Sequence, residues 1–591
     1  MVKVHLTAGL GAVLCLLLLA CSPPAVGPSA AATGGPVGVG LPALATLDAL
    51  RAPSLIADCG IPVTSPIAER NTQVMLGLRN FIPGADTTYA IYQVDATGAE
   101  LMSLTATGLG DLWVLAADFG RNCWALPAWL GDGPVEIDLA QLADGISPEE
   151  HFYCAVVLGN DHNPGGDFLS SLSLSYDLDL PDPVTYYVAP PAAGGSDGNP
   201  GTQAEPWATL QHAADTVGPG DTVLAAAGDY VGFMLETSGV PSHPVTFDGQ
   251  GVARIVEDNP TTPDGINVED WGEGAIHHVV IRGFIVTGAS RAGIRFSGSV
   301  DEHAHHITIE DNQCDQNGRW GIFCGFNDDI LVQDNECSRS GDEHGIYLSN
   351  SCRRYVLRSN TCWGNNGCGI HNNGDLAAGG DGIMHEGLIE YNVCYGNGAG
   401  GGSALNFDTV HDSIIRGNLA YGNHSSGISL YSSSGLGSKR NVVVNNTVIQ
   451  PDDGRWCLNI NSASTHSRVA NNCLYSLHSF RGVVTISGDS LEGFESDYNT
   501  VMDRFEIDEG GVISLAEWQG TTGQDMNSFI ATPPELFESP MTQDFHLCAG
   551  SPAIDAGIDF GIEFSPMPPY DLDGDDRPLG LAYDIGADER E

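Results

Sequence analysis

From about residue 277 onward, the apolar positions of this chain recur in short two-residue alternations rather than at helical spacing, and the alternations themselves repeat. One run ends each time in asparagine, at Asn312, Asn335, Asn360, Asn392, Asn418, Asn446 and Asn472, at intervals of 23, 25, 32, 26, 28 and 26 residues. A second run opens between them at Gly293-Ile294, Gly321-Ile322, Gly345-Ile346, Gly369-Ile370, Ala404-Leu405, Gly427-Ile428 and Cys457-Leu458. Period-two alternation predicts strands, and a regular repeat of them predicts a stack. A unit of about 25 residues cannot bury its apolar side chains alone, but stacked units can. Each coil then adds about 4.8 Å, and the asparagine column is free to run hydrogen bonds along the turns.

The flanks read differently. Residues 46–183 carry short alternating runs, such as 88–94 and 152–157, separated by turn clusters, which predicts a small β-sandwich. Residues 184–276 hold a strand at Tyr186-Tyr187-Val188, a Gly/Asn/Pro loop at 195–202 and a helical pattern over 207–217. Trp207, Leu210, Ala214 and Val217 make one apolar face there, able to lid the end of a core. Coils are expected over 277–500, with the last coils and a cap over 501–591. Together with the loops at Gly201-Thr202 and Pro219-Gly220-Asp221 and the exits at 551–557 and 584–589, residues 186–591 resemble the right-handed parallel β-helix proteins of the pectate-lyase-like superfamily. The resemblance implies an all-β fold: a right-handed parallel β-helix (solenoid) with an N-terminal cap helix, preceded by the sandwich. It leaves the chemistry open, because that family hosts lyases, hydrolases, epimerases and binding proteins.

Composition narrows the partners. The chain has 591 residues and a net charge of −52, with only 23 basic side chains, which excludes a nucleic-acid ligand. At 42% hydrophobic and 8% aromatic, it packs rather than remaining an acidic coil. Residues 1–20 begin with Lys3, continue as an apolar run from Ala8 to Leu19, and meet Cys21 as Leu18-Leu19-Ala20-Cys21. This resembles the lipobox of bacterial lipoproteins. It implies a cleaved leader, lipid on Cys21 and an exported lipoprotein at the cell surface or in the periplasm, touching membrane only through its anchor; the Pro-, Gly- and Ala-rich stretch within 21–45 is expected to be a flexible tether and the protein a monomer. Without residues 1–20 the net charge is −53, of which only −6 lies in 277–470, so an acidic polysaccharide is not excluded. Cys314, Cys337, Cys362 and Cys394 fall two residues after successive asparagines and predict an inward column, either bridged or of buried thiols.

Alternation also sorts the outward side chains. The residue after each inward Ile or Leu gives Arg295, Phe323, Tyr347, His371, Asn406, Ser429 and Asn459, and two residues further on lie Asn373, Asp408 and Tyr431. The residue before each Gly adds Trp320, His344 and Cys368, and seven residues before each asparagine runs a column of His305, Asp328, Arg353, His385, His411 and Lys439. Lys439 is the only lysine after Lys3. Rings, imidazoles, carboxylates and cations along one groove suit a sugar polymer, with Trp320, His344, Asn373, Asn406, His411 and Tyr431 as binding residues. The alternative is a set of ordinary polar outward positions. Uronate β-elimination needs a carboxylate neutraliser, a base for the C5 proton and a proton donor for the leaving oxygen. The resemblance implies calcium or Arg for the first and Lys or Arg for the second, sometimes with His or Tyr. His371, Lys439, Asp408, Tyr347 and Arg353 are the candidates for these roles, with Asp375 and Asp381 as calcium ligands. Elimination is the leading expectation. A glycoside hydrolase using Asp375 with Asp408, a uronate epimerase, and a non-catalytic glycan-binding or adhesive surface protein are the alternatives. The acidic run at Asp571, Asp573, Asp575 and Asp576 lacks a distal calcium-loop Glu and is expected to be a structural turn.

Overall fold

The chain divides after Pro181 into two units. The computed structural model describes the strands and turns lying between residues 68 and 178, and residues 180–590 apart from 242, 270–274 and 560–566. The expected leader, Cys21 and the tether lie outside the described residues. Among the described residues, no helix is long and apolar enough to cross a membrane. In the first unit, two five-stranded antiparallel sheets form. Tyr92, Val114, Phe152 and Val156 of one sheet share an apolar cluster with Leu104, Ile137 and Leu169 of the other, the layering of a sandwich.

The second unit is a right-handed parallel β-helix. A twelve-stranded sheet runs from Phe233–Leu235 to Phe505–Ile507 in parallel and ends with one strand turned back antiparallel. A 22-stranded sheet supplies the other two sides of the coils. One coil shows the plan: Asn327–Gln333 and Glu336–Ser338 lie in the larger sheet, and Ile346–Ser349 lies in the smaller. The inward Ile294, Ile322, Ile346, Ile370, Leu405 and Ile428 are fully buried in one continuous core. Cys314, Cys337, Cys362 and Cys394 pair in register beside them as free, buried thiols, which decides the open alternative.

The corners are held by amides. The backbone N–H and Nδ2 of Asn392 both donate to Oδ1 of Asn418, at 2.9 Å each, and Asn360 donates in the same way to Asn392 at 3.0 Å. The pattern runs without a break from Asn312 to Asn499. A second ladder, which the sequence reading did not extract, joins Asn365, Asn397 and Asn423 at the next corner. The residue before each ladder asparagine is left-handed, as at Ser359 (φ 53°) and Tyr391 (φ 56°), and that sharp bend aims the amide along the stack.

One expectation changes at the ends. The helical pattern over 207–217 yields a helix only at Leu210–Ala214. The Asp197 carboxylate accepts from the N–H groups of Ala208 and Thr209, and the Thr209 hydroxyl caps His212 N–H, so the helix cannot begin earlier. Trp207, Leu210, Ala214 and Val217 are all buried against the first coils, as the apolar face requires. At the far end a capped helix, Leu515–Thr522, lays Trp518 on Phe505 with ring centroids 5.0 Å apart and closes the core. The chain then returns along the outside of the solenoid, where Phe537, Phe545, Leu547 and Ile585 cover Ile449 and Cys473. In that return Asp571 accepts from the N–H groups of Asp573, Asp575 and Glu589, so it is the structural turn the sequence suggested.

Removing one rung leaves several buried groups unpaired, because Asn392 also donates to the carbonyls of Leu357 and Glu390. Each such group costs about 1–3 kcal/mol. Asn392→Ala is therefore expected to destabilise the β-helix by about 3 kcal/mol or more, read from the guanidinium midpoint. Asn499→Ala, at the end of the ladder, should cost less.

Candidate functional site

Strand register decides which outward side chains meet. The Cα pairings run Arg295, Phe323, Tyr347, His371, Asn406, Ser429 and Asn459 along one column of the twelve-stranded sheet, and Asn373, Asp408 and Tyr431 along the next. The column of His305, Asp328, Arg353, His385, His411 and Lys439 is likewise in register, on the stretch that follows each of these strands. The expected residues thus fall into two groups rather than one.

The first group is a polar network with a covered floor. His371, Asn406 and Asp408 are 7%, 7% and 3% exposed, whereas His344, Tyr347, Asn373 and Tyr431 are half-buried around them. The His344 and His371 rings stack at 4.7 Å. The Cys368 backbone N–H donates to Nδ1 of His344 at 3.0 Å, and the Asn406 amide meets Nδ1 of His371 at 2.6 Å. A backbone or amide N–H can only donate, so in both imidazoles Nε2 carries the proton. Burial takes the pKa of His344 down to about 4 against the pull of Glu343, and burial with the neighbouring His344 holds His371 well below the ordinary range. The Asn406 amide also donates to the Tyr431 hydroxyl at 3.0 Å, and Asn373 donates to the Tyr347 hydroxyl at 3.0 Å. Burial raises both phenols, so they keep their protons. Asp408 accepts from the Thr409 hydroxyl and the Ser433 N–H.

Aromatic surface flanks this network on one side. Trp320, Phe323 and Tyr347 pack as one cluster, with the Arg319 guanidinium 4.5 Å from the Trp320 ring and the indole N–H donating to Glu343 at 2.7 Å. Glu343 and Arg319 were not singled out from the sequence, because they lie in the turn before the strand, where alternation assigns no direction. His344, Cys368 and His371 bring ligand-type atoms within 4.8 Å of one another. Both Nδ1 atoms accept amide N–H groups, which do not give up their protons, and burial raises the Cys368 thiol to about 12, so it keeps its proton and the trio is a hydrogen-bond network.

The second group is committed to ion pairs and carbonyls. Arg353 and His385 both hold the Asp381 carboxylate at 3.0 Å. Burial pushes Asp381 up, but the His385 hydrogen bond, the Ile383 N–H and the Arg353 charge hold it well below the usual carboxylate range. His411 donates from Nε2 to the Gly437 carbonyl at 2.9 Å. Lys439 is half-buried and pairs with His411 through the backbone. Calcium takes six to eight oxygen ligands, whereas the Asp381 carboxylate is met by nitrogens of Arg353 and His385. Asp381 therefore stands as an ion-pair partner rather than an open calcium ligand.

Elsewhere, a concavity of about 480 Å³ lies at the corner of the larger sheet, lined by Asp311, Asp334, Glu336, Trp363 and Tyr395 among others. The Trp363, Tyr395 and Tyr421 rings stack on one another at 5°, so their faces are already used.

Among known proteins, the family described as periplasmic copper-binding protein (NosD) matches residues 257–400. The uncharacterized protein YwoF of Bacillus subtilis (strain 168) is 27% identical over 237 residues, 36% of this chain, and this chain spans 46% of that relative's length. Of solved structures, pectate lyase Pel9A matches at a TM-score of 0.47 and 18% identity, covering 70% of this chain and 98% of the other. A rhamnogalacturonan lyase matches at 0.37 and 16%, covering 51% and 84%. The chain is thus similar over part of its length to a NosD-type segment and, at low identity, to lyase solenoids.

Proposed function

We propose that this chain is an exported polysaccharide-binding β-helix protein that lays a glycan across the twelve-stranded sheet between Trp320 and Tyr431. The supporting observation is the register itself. Four successive coils place His344, Tyr347, His371, Asn373, Asn406 and Tyr431 together, with neutral imidazole and amide donors beside an aromatic flank. Sugars are recognised by that pairing of ring faces with hydrogen-bond donors. The reaction class that suits these donors is β-elimination of a uronate polymer. The Nε2–H groups of His344 and His371 and the Asn373 N–H not given to Tyr347 are the donors offered to a sugar carboxylate, and the Tyr347 hydroxyl holds a proton for the leaving oxygen. The C5 proton needs a base, and Lys439, in the second group of residues, is the candidate that remains, since Arg353 is engaged by Asp381.

One observation favours a second reading, glycan binding without turnover. The floor residues His371, Asn406 and Asp408 are buried and hydrogen-bonded to their own neighbours, as in a purely architectural network. The two readings differ in one measurement. With a panel of uronate polymers, elimination gives rising absorbance from unsaturated product that Lys439→Ala abolishes. Absence of both unsaturated product and new reducing ends, with binding intact, establishes the second reading.

Binding is expected in either case. Tyr347→Ala or His344→Ala should weaken glycan affinity about tenfold, about 1.4 kcal/mol, by calorimetry. Because burial takes His344 down to about 4 and holds His371 well below the ordinary range, both stay neutral through the usual imidazole range. Affinity is therefore expected to be flat from about pH 8 down to about pH 5.5. A transition near the ordinary imidazole pKa would contradict the assigned face.

A further inference from the structure

The corner before each strand pair of the larger sheet repeats one device: an outward residue followed by a residue with φ near +50 to +60°. The second residue is His278, His306, Asp329, Arg354, Glu386, Asp412 and Arg440 in successive coils. In the later coils this column is satisfied by opposite charges, with Arg354 bidentate on Asp329 and Arg440 on Asp412. The first two coils depart from that rule and stack imidazoles instead.

His277 and His305 are paired in register, and their rings stack at 5.0 Å. The His278 and His306 rings stack at 4.5 Å and are nearly parallel, at 5°. Within each coil the Nδ1 atoms of the neighbouring rings lie 3.0 Å apart for His277 and His278, and 2.6 Å apart for His305 and His306. Two adjacent Nδ1 atoms at that distance share one proton, so neither pair is fully protonated. His306 is 4% exposed, and its Nε2 is buried without a hydrogen-bond partner among the described residues. A buried ring nitrogen without a partner costs free energy unless something pairs with it.

We propose that His278, His305 and His306 bind a divalent transition-metal ion of the zinc class, with His277 orienting His305 from the preceding coil. Ligand atoms of the three already lie within 4.8 Å of one another. A tetrahedral ion with bonds of about 2.0–2.1 Å holds its nitrogens about 3.3 Å apart, and because imidazole lone pairs lie in the ring plane, the His278 ring has to turn out of its parallel stack on His306 to share the ion. Imidazole alone selects zinc, copper or nickel over calcium or magnesium, and three imidazoles leave one position for water. The site ties the neighbouring strands His277–Thr287 and Ala304–Glu310 together where the later coils use ion pairs. It stands apart from the proposed glycan face and does not depend on it.

The test is equilibrium dialysis of the full chain, stripped with EDTA, against Zn²⁺, with bound metal counted and thermal unfolding followed. One equivalent bound, a raised unfolding temperature and a tetrahedral absorption spectrum with Co²⁺ are expected. His278→Asn and His306→Asn preserve the left-handed backbone, since Asn adopts it readily, and should weaken binding at least 100-fold. His305→Gln, at a half-exposed position, should do the same without threatening the fold. His371→Ala should bind as the parent does, because that ring belongs to the other cluster. Failure of the parent to take up one equivalent, or undiminished uptake by His305→Gln and His306→Asn, overturns the proposal. So does loss of uptake in His371→Ala alone.

Discussion

A chain that winds around a packed core must turn every corner without stranding backbone amides inside it. That constraint governs this β-helix. At one corner of each coil a buried asparagine accepts the N–H and the amide of the asparagine before it, and donates onward to the one after. Only an amide side chain carries both donor and acceptor at the reach that a coil spacing of about 4.8 Å demands. Aspartate could not donate, and serine is too short. The second ladder shows the consequence at Ser340, which stands where its neighbours have Asn317 and Asn365. Its backbone N–H still reaches Asn365 Oδ1, but its hydroxyl is buried without a partner. With the corners fixed, register between coils cannot slip, and every outward column follows.

That dependence explains what could be read from sequence. The asparagine spacing alone located the coils, and strict alternation then put Tyr347, His371 and Asn406 in one column and Arg353, His385, His411 and Lys439 in another, as the pairings have them. Alternation gives direction, however, and not exposure. The loops between strands close over the outward face: Ser433 N–H reaches Asp408, Gly382 N–H reaches the Ser351 hydroxyl, and Arg353 meets Asp381. Loop conformation follows from local turn chemistry and tertiary contacts, which no period encodes. Hence a column expected as an open groove has a covered floor, and residues expected to share one pocket divide into two groups. The left-handed corner residues were invisible for a related reason. A residue with φ near +55° breaks the alternation rule, so His278 and His306 could not be assigned a side from sequence.

The ends of the solenoid follow different rules from its middle. A coil stack leaves an apolar cross-section at each end that no further repeat can cover. Trp207 and Leu210 meet that need at one end and Trp518 at the other. The first was visible as an apolar helical face. The second lies in the eight-residue helix Leu515–Thr522, whose signal is its Ser514/Glu517 capping box rather than any repeat. Beyond it the returning chain is anchored by a fully buried Arg577–Glu589 pair and by Arg416 donating to the Met567 carbonyl. Part of the C-terminal acidity therefore serves to fasten the chain to its own solenoid.

The contrast between inward and outward columns bears on how function can be assigned in such a fold. Inward, six successive coils use Ile or Leu at the same position, from Ile294 to Ile428. Outward, the adjacent position changes at every step, from Arg295 through Phe323, Tyr347, His371 and Asn406 to Ser429. Packing constrains the first series and hardly touches the second, so the stack tolerates almost any chemistry on its surface. Evidence of function must then come from positions where the fold's own economy is broken. In the face proposed for glycan that break is weak, because its polar floor is internally satisfied. At the first corners it is stronger, because imidazoles replace the ion pairs that the same corner uses in the later coils and leave a buried nitrogen of His306 to be filled.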